Sequence, residues 1–206
     1  MSFIHLSCKT HYSIHSGIAK TQGYFEKANE FGMSHVSITD TCNMYAALEA
    51  HNVSKQFPKV KPIYGTEIWV WPKGVSKIRA EDQDLGWNLR FLIKNRVGYE
   101  NLSAMITKGI FDGMHFRPRI DFDIMKEHSE GLIVTSCGIN GPVASWIKKS
   151  IKNKPAVKKI TTSLFDIEED HEVVYPFDES KSILSRIAGI FGENNTFVEL
   201  QDYGVQ

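Results

Sequence analysis

The sequence predicts an α/β fold, with a largely parallel sheet and helices packed outside it. Short β-branched and aromatic apolar runs alternate along the chain with stripes of apolar residues at helical spacing. Strand followed by helix, repeated, is typical of parallel sheets with crossover helices. A length of 206 residues suits one sizeable core, so the whole chain, 1–206, is predicted to be one domain.

The strand predictions rest on apolar runs too short to form helices of typical length. Each run is rich in β-branched or aromatic side chains, as in Phe3-Ile4-His5-Leu6. The predicted strands are 3–8, 35–39, 62–71, 89–93, 131–136 and 196–200.

Five apolar stripes predict helices. In the first, Tyr24, Ala28 and Phe31 follow Thr21 as a candidate cap and precede Gly32 as a stop. The other four stripes are Met44 to His51 after Asn43, Tyr99 to Ile110, Val143 to Ile151 behind Pro142, and Ile183 to Phe191 before Gly192. Residues 72–86 are polar and predict a solvent loop, and residues 152–178, first basic and then acidic, predict an insertion.

Composition narrows the class of protein. The chain carries 24 basic and 24 acidic residues, so it has no overall field that would attract nucleic acid. No apolar run approaches the roughly 20 residues that cross a bilayer, and three scattered cysteines make neither a disulfide framework nor a zinc motif. These observations predict a cytoplasmic protein that makes no membrane contact.

The ends of the predicted strands were searched for metal ligands, because the loops of parallel α/β folds gather there. A metal-dependent phosphoesterase needs several His and carboxylate side chains in that place. Only two of the six candidates are carboxylates, and none is His: Ser7, Lys9, Asp40, Thr41, Glu67 and Asn88. His11 and His15, in the turn after the first predicted strand, are either exposed turn residues or replacement ligands.

Six stretches in order resemble one family. The clearest are Phe3-Ile4-His5-Leu6-Ser7-Cys8-Lys9-Thr10-His11-Tyr12-Ser13 and Ile38-Thr39-Asp40-Thr41-Cys42-Asn43-Met44-Tyr45. With Trp87 to Leu102, Phe116 to Asp121, Gly131 to Gly138 and Phe197 to Gly204, they resemble the PHP (polymerase and histidinol phosphatase) domain of bacterial replicative DNA polymerase III alpha subunits.

The resemblance decides between an open doubly wound sheet and a closed barrel, because it implies a distorted barrel of seven β/α units. Six of those seven strands are expected in this chain, since the family's last metal-binding stretch does not occur before Gln206. The chain is therefore expected to be the front part of a longer protein.

The resemblance also implies that the metal site is vestigial. The family's ligand histidines fall on Ser7, Lys9, Thr41 and Asn88, and a further one on Tyr203, while Asp40 and Glu67 are retained. Cys137 lies one position from the family's cysteine, and a local slip would restore it. We expect the Lys9 ammonium to stand between Asp40 and Glu67 in place of the lost metal, against the alternative of a solvated loop lysine. Arg119 is expected to bind a phosphate or pair with a carboxylate.

Three functions stay open at this point. The first is a non-catalytic PHP domain of the polymerase subunit, acting in DNA replication as a scaffold and as a docking site for the proofreading exonuclease subunit. The others are an active metal-dependent 3′-5′ exonuclease or phosphoesterase and a stand-alone PHP-like binding protein. The first implies no cofactor in this chain, Mg in the parent polymerase, and contact with DNA through the parent protein.

Overall fold

The computed structural model describes residues 3–77, 86–145 and 177–200. In them the chain forms a mixed α/β fold, which confirms the predicted class. The strands are β1 His35–Thr41, β2 Lys61–Val70, β3 Trp87–Ile93, β4 Arg119–Ile120, β5 Leu132–Thr135 and β6 Thr196–Phe197. The helices are α1 Thr21–Glu30, α2 Ala47–Ser54, α3 Arg96–Phe111, α4 Phe122–Glu127 and α5 Phe177–Phe191.

The six described strands form one open sheet in the order β1-β2-β3-β5-β6. β4 also pairs with β2, at the two residues beyond the point where β1 ends. The expected closed barrel is not formed in this part of the chain, because the ladder runs from β1 to β6 without returning. The carboxyl ends of β1 and β2 nevertheless meet at one edge, as in a β/α barrel.

The prediction that residues 3–8 form a strand was wrong. Only Cys8 is hydrogen-bonded to β1, where Thr39 N donates to Cys8 O at 2.9 Å and Cys8 N donates to Thr39 Oγ1 at 3.1 Å. The Thr39 hydroxyl therefore takes the place of a backbone acceptor, and the regular ladder does not extend along residues 3–7. The segment still lies beside β1, which brings Ser7 and Lys9 to the edge where the candidate site lies.

The largely parallel sheet needs one correction. β1, β2, β4, β5 and β6 run in the same direction, whereas β3 is antiparallel to both β2 and β5. A parallel partner needs a crossover, usually a helix, and the sequence between β2 and β3 has no helical stripe. The short β4 was not predicted, because two residues after Pro118 give no periodic signal.

Two helix starts also differ from the prediction. Thr21 is the first residue of α1, and its side chain makes no capping bond. Asn43 lies before α2 and accepts from Tyr45 N at 3.1 Å, forming a turn that delays the helix to Ala47. The helix predicted behind Pro142 is present over 142–145, and the rest of it, like most of 152–178, lies outside the described residues.

Two apolar clusters support the sheet. The larger packs β2, β3 and β5 against α3, α4 and α5 through residues such as Phe91, Leu102 and Phe191. The smaller packs α1 and α2 against β1 through Phe25, Ala50 and others. Among the described residues no helix is both long and apolar enough to cross a membrane.

Candidate functional site

Four polar side chains form a row across four neighbouring strands. Thr41 of β1 is opposite Glu67 of β2, Glu67 is opposite Arg90 of β3, and Arg90 is opposite Thr135 of β5. Residues that are directly opposite in a ladder point to the same face of a sheet. The register alone therefore places the charges of Glu67 and Arg90 side by side.

Both oxygens of the Glu67 carboxylate are occupied by cations. Arg90 donates to Oε1 through Nη2 at 2.6 Å and through Nε at 3.2 Å. Lys9 Nζ forms a short ion pair with Oε2 and also donates to Thr41 Oγ1 at 3.1 Å. Ser7 Oγ adds a weaker hydrogen bond to Oε1 at 3.3 Å.

A second carboxylate completes the arrangement. Arg90 Nη1 forms a short ion pair with Glu199 Oε2, which also accepts from Thr135 Oγ1 at 3.0 Å. Glu199 follows β6 and is fixed by its own N–H, which donates to Ser136 Oγ at 2.9 Å. We call Lys9, Glu67, Arg90 and Glu199 the four-charge network.

Burial makes this network a strong local determinant. The Arg90 side chain is 1% exposed, so its charge depends on its carboxylate partners rather than on water. Burial alone would raise the pKa of Glu67, but the positive charges of Lys9 and Arg90 outweigh it and hold that pKa below its ordinary value. Glu67 is therefore ionised at neutral pH and its charge is fully used inside the protein.

Asp40 does not take part in the network, which corrects the expected position of Lys9 between two carboxylates. Asp40 accepts from Thr10 N at 2.7 Å, Thr10 Oγ1 at 2.8 Å and Ser13 Oγ at 2.5 Å. Lys9 and Asp40 form no ion pair among the described contacts. Asp40 instead organises the turn after Lys9, and only Glu67 receives the ammonium.

Asn88 is close to the network in sequence but makes none of its hydrogen bonds. It is buried on β3 opposite Trp69, and its Oδ1 has no hydrogen-bond partner in the described structure. His11 and His15 are exposed in the turn held by Asp40, as expected of turn histidines. The four histidine positions of the family frame thus remain without histidine, and neither turn histidine replaces them there.

Cys137 lies beside the network. Its Sγ is 3.9 Å from Arg90 Nη2, and burial raises the pKa of the thiol far above its ordinary value. A protonated thiol is a poor metal ligand, because the thiolate is the species that binds. Arg119 is buried with its guanidinium 4.9 Å from the centre of the Trp71 ring, and its expected phosphate or carboxylate partner stays a prediction. Tyr203 lies outside the described residues.

These donors do not fit a metal ion. Of the six predicted positions, Ser7, Lys9, Thr41 and Glu67 are brought together, whereas Asp40 and Asn88 have other surroundings. Within the described ranges no group of three or more His, Cys, Asp or Glu side chains is arranged to hold a metal. The oxygens of Glu67 that would bind a cation are already taken by an ammonium and a guanidinium, which would repel one.

The sequence search missed Arg90 and Glu199. Both stand at the centre of strand-like apolar runs, Leu89-Arg90-Phe91-Leu92 and Phe197-Val198-Glu199-Leu200. A charge inside such a run must be exposed on a solvent face or paired. Two such charges of opposite sign were a detectable signal for an internal ion pair.

Comparison with known proteins agrees with the frame of motifs. A family model described as PHP domain matches residues 5–203. DNA polymerase III subunit alpha of Borreliella burgdorferi is 31% identical over 99% of this chain, and that of Treponema pallidum is 28% identical over all of it. The chain spans only 16% and 15% of the lengths of those two relatives.

The similarity to solved structures is weaker. A Bifidobacterium adolescentis protein, described as a metal-dependent phosphoesterase, aligns with a TM-score of 0.38 and 21% identity. That alignment covers 52% of this chain and 32% of the other. A similarity this low carries no argument about activity.

Proposed function

Because this chain belongs to the PHP domain family and is homologous to part of the DNA polymerase III alpha subunits, we propose that it is the non-catalytic PHP domain of such a subunit. In this role it is a scaffold for the polymerase and a docking site for the proofreading exonuclease subunit in DNA replication. The parent chain would contact DNA and use Mg at its own polymerase site.

The four-charge network is the observation that carries this proposal. Lys9 stands at a ligand position of the family frame and pairs with the retained Glu67, so a fixed internal cation occupies the carboxylate that a catalytic metal needs. A hydrolase that uses a metal-activated water requires open coordination positions on that metal. The donors described above supply neither the ligand set nor the open positions.

The same network supports a scaffold role. It joins the segment around Lys9, strands β2 and β3, and the residues after β6, so it connects distant parts of the sequence through one buried cluster. Breaking a buried ion pair typically destabilises a protein by about 3 to 5 kcal/mol, because an unpaired charge stays behind. Residues with this role preserve the shape of a domain rather than its chemistry.

Paired assays on the intact gene product test the proposal. We expect no 3′-5′ hydrolysis of single-stranded DNA that depends on Glu67, with Mg, Mn or Zn added. We also expect Arg90→Met to lower the temperature at which DNA synthesis is lost, because the scaffold is weakened. Co-elution with the proofreading exonuclease subunit in size-exclusion chromatography tests docking.

The control is Arg96→Met, since Arg96 forms only an exposed ion pair with Glu100 on α3. Hydrolysis that Glu67→Gln abolishes would show an active phosphoesterase and contradict the proposal. Failure of the exonuclease subunit to co-elute would remove the docking role and leave the scaffold role standing.

A further inference from the structure

An exposed apolar loop follows helix α3. Phe111 and Phe116 are each 81% exposed and Met114 is 53% exposed, so three large apolar side chains face solvent within six residues. Arg117 follows them directly. We call residues 111–117 the α3 loop.

The α3 loop is held in place at its base. Gly113 is packed so closely on Arg119 that a Cβ there would lie 2.0 Å from Arg119 O. Arg117 stacks its guanidinium 5.0 Å from the centre of the Trp69 ring, and His115 N donates to Arg117 O at 3.2 Å. The exposed rings are therefore presented on a fixed backbone rather than on a loose tip.

Phe116 also adopts an unfavourable backbone conformation. Its φ is +59°, in the left-handed region where a bulky aromatic residue is uncommon and glycine is preferred. Nothing about exposure to water requires an aromatic side chain there. Strained residues with exposed side chains are found where contact with another molecule is the purpose.

We propose that the α3 loop docks on the polymerase portion of the same polypeptide, with Phe116 as the anchor. This inference rests on the proposed function. The chain spans 16% of its Borreliella relative, so such a polypeptide has a large folded remainder that must pack against this domain. Phe, Met and Arg are the residue types enriched in the cores of protein interfaces, and a single aromatic anchor often dominates them.

Hydroxyl-radical footprinting of the intact gene product tests this docking. Phe31 at the end of α1 is the matched reference, because it is also a phenylalanine and is 64% exposed. Docking predicts that Phe111 and Phe116 are oxidised at least about fivefold more slowly than Phe31, since an anchor is shielded from water. Equal or faster oxidation of Phe116 would overturn the proposal.

Two further arms separate the alternatives. Protection of Phe116 only after single-stranded DNA is added would assign the loop to nucleic acid and overturn docking on protein. Phe116→Gly suits the +59° backbone, so this variant should fold, and it should raise the oxidation rate of Phe111 towards that of Phe31. An unchanged rate for Phe111 would overturn the role of Phe116 as anchor.

A gene product that lacks a polymerase portion would contradict the proposed function itself, and intact mass measurement detects that outcome separately. Protection of Phe116 in such a short product would identify a different occupant and overturn this inference. An intact polymerase with an unprotected Phe116 would overturn only the docking.

Discussion

At the scale of single residues, Lys9 and Asp40 divide the work that a metal centre would have joined. Lys9 neutralises Glu67 inside the sheet, and Asp40 organises the turn at Thr10 and Ser13. The sequence places both residues at the site, but their partners depend on side-chain direction at the strand end. A residue pattern alone does not specify that direction.

The first prediction concerns Lys9. We expect Lys9→Met to lower the free energy of unfolding by about 1 to 3 kcal/mol, because one carboxylate oxygen of Glu67 loses its charged partner. Adding Glu67→Gln should recover part of that loss, and a double-mutant cycle measured by urea unfolding gives the coupling.

Adding Asp40→Asn to Lys9→Met should instead be additive, since Asp40 is outside the network. A Lys9→Met variant as stable as the parent would show that Lys9 is a solvated lysine. Coupling between Lys9 and Asp40 would show that the ammonium contacts both carboxylates.

The second prediction is a pH dependence. The folded pKa of Glu67 is below its ordinary value of 4.5, so ionised Glu67 adds stability that is complete above pH 4.5. That stability is lost as the pH falls through the lower folded pKa. The difference in unfolding free energy between the parent and Glu67→Gln should therefore be constant from pH 7 to 5 and shrink below 4.5.

Urea unfolding at a series of pH values measures this difference. The exposed Glu26→Gln on α1 is the control for general acid effects. A difference between parent and Glu67→Gln that stays constant down to acid unfolding would mean that Lys9 and Arg90 do not stabilise the ionised carboxylate.

At the scale of elements, close backbone packing fixes how α3 sits on the sheet. A Cβ on Gly98, in the first turn of α3, would lie 2.0 Å from Gly131 O at the start of β5. The helix also begins at a true cap, because the Asn95 side chain accepts from Gly98 N at 3.0 Å. Gly98 therefore sets the distance between α3 and β5.

The third prediction compares two glycines in helices. Gly98→Ala should lower the melting temperature, because the backbones of α3 and β5 must separate. Gly189→Ala on α5 meets no atom within 4 Å and should stabilise the protein by about 0.5 to 1 kcal/mol through helix propensity. Equal effects on the melting temperature would contradict the close packing at Gly98.

The elements also define how far the sequence could be read. Stripes such as Tyr99 to Ile110 and the strand runs of β1, β2, β3 and β5 were predicted within a few residues, because periodicity reports burial directly. The direction of β3 and the fate of residues 3–8 depend on pairing between distant segments. The ligand frame was readable from Ser7 to Asn88, whereas the pairing of Arg90 with Glu199 needed the sheet order.

At the scale of the whole molecule, the open sheet carries a PHP frame whose interior charge is balanced by its own side chains. Two cations and two carboxylates form the four-charge network, and they come from parts of the chain as distant as Lys9 and Glu199. An arrangement of this kind holds the domain together without a metal. The central claim is therefore that Lys9 and Arg90 replace the ion.

Metal content tests that claim most directly. The purified protein would be dialysed against Zn or Mn at neutral pH, freed of loose ions, and measured by elemental analysis beside a Glu67→Ala variant. We predict no stoichiometric metal in either protein, because ammonium and guanidinium groups occupy the Glu67 carboxylate. One bound ion per chain in the parent, lost in Glu67→Ala, would contradict the account.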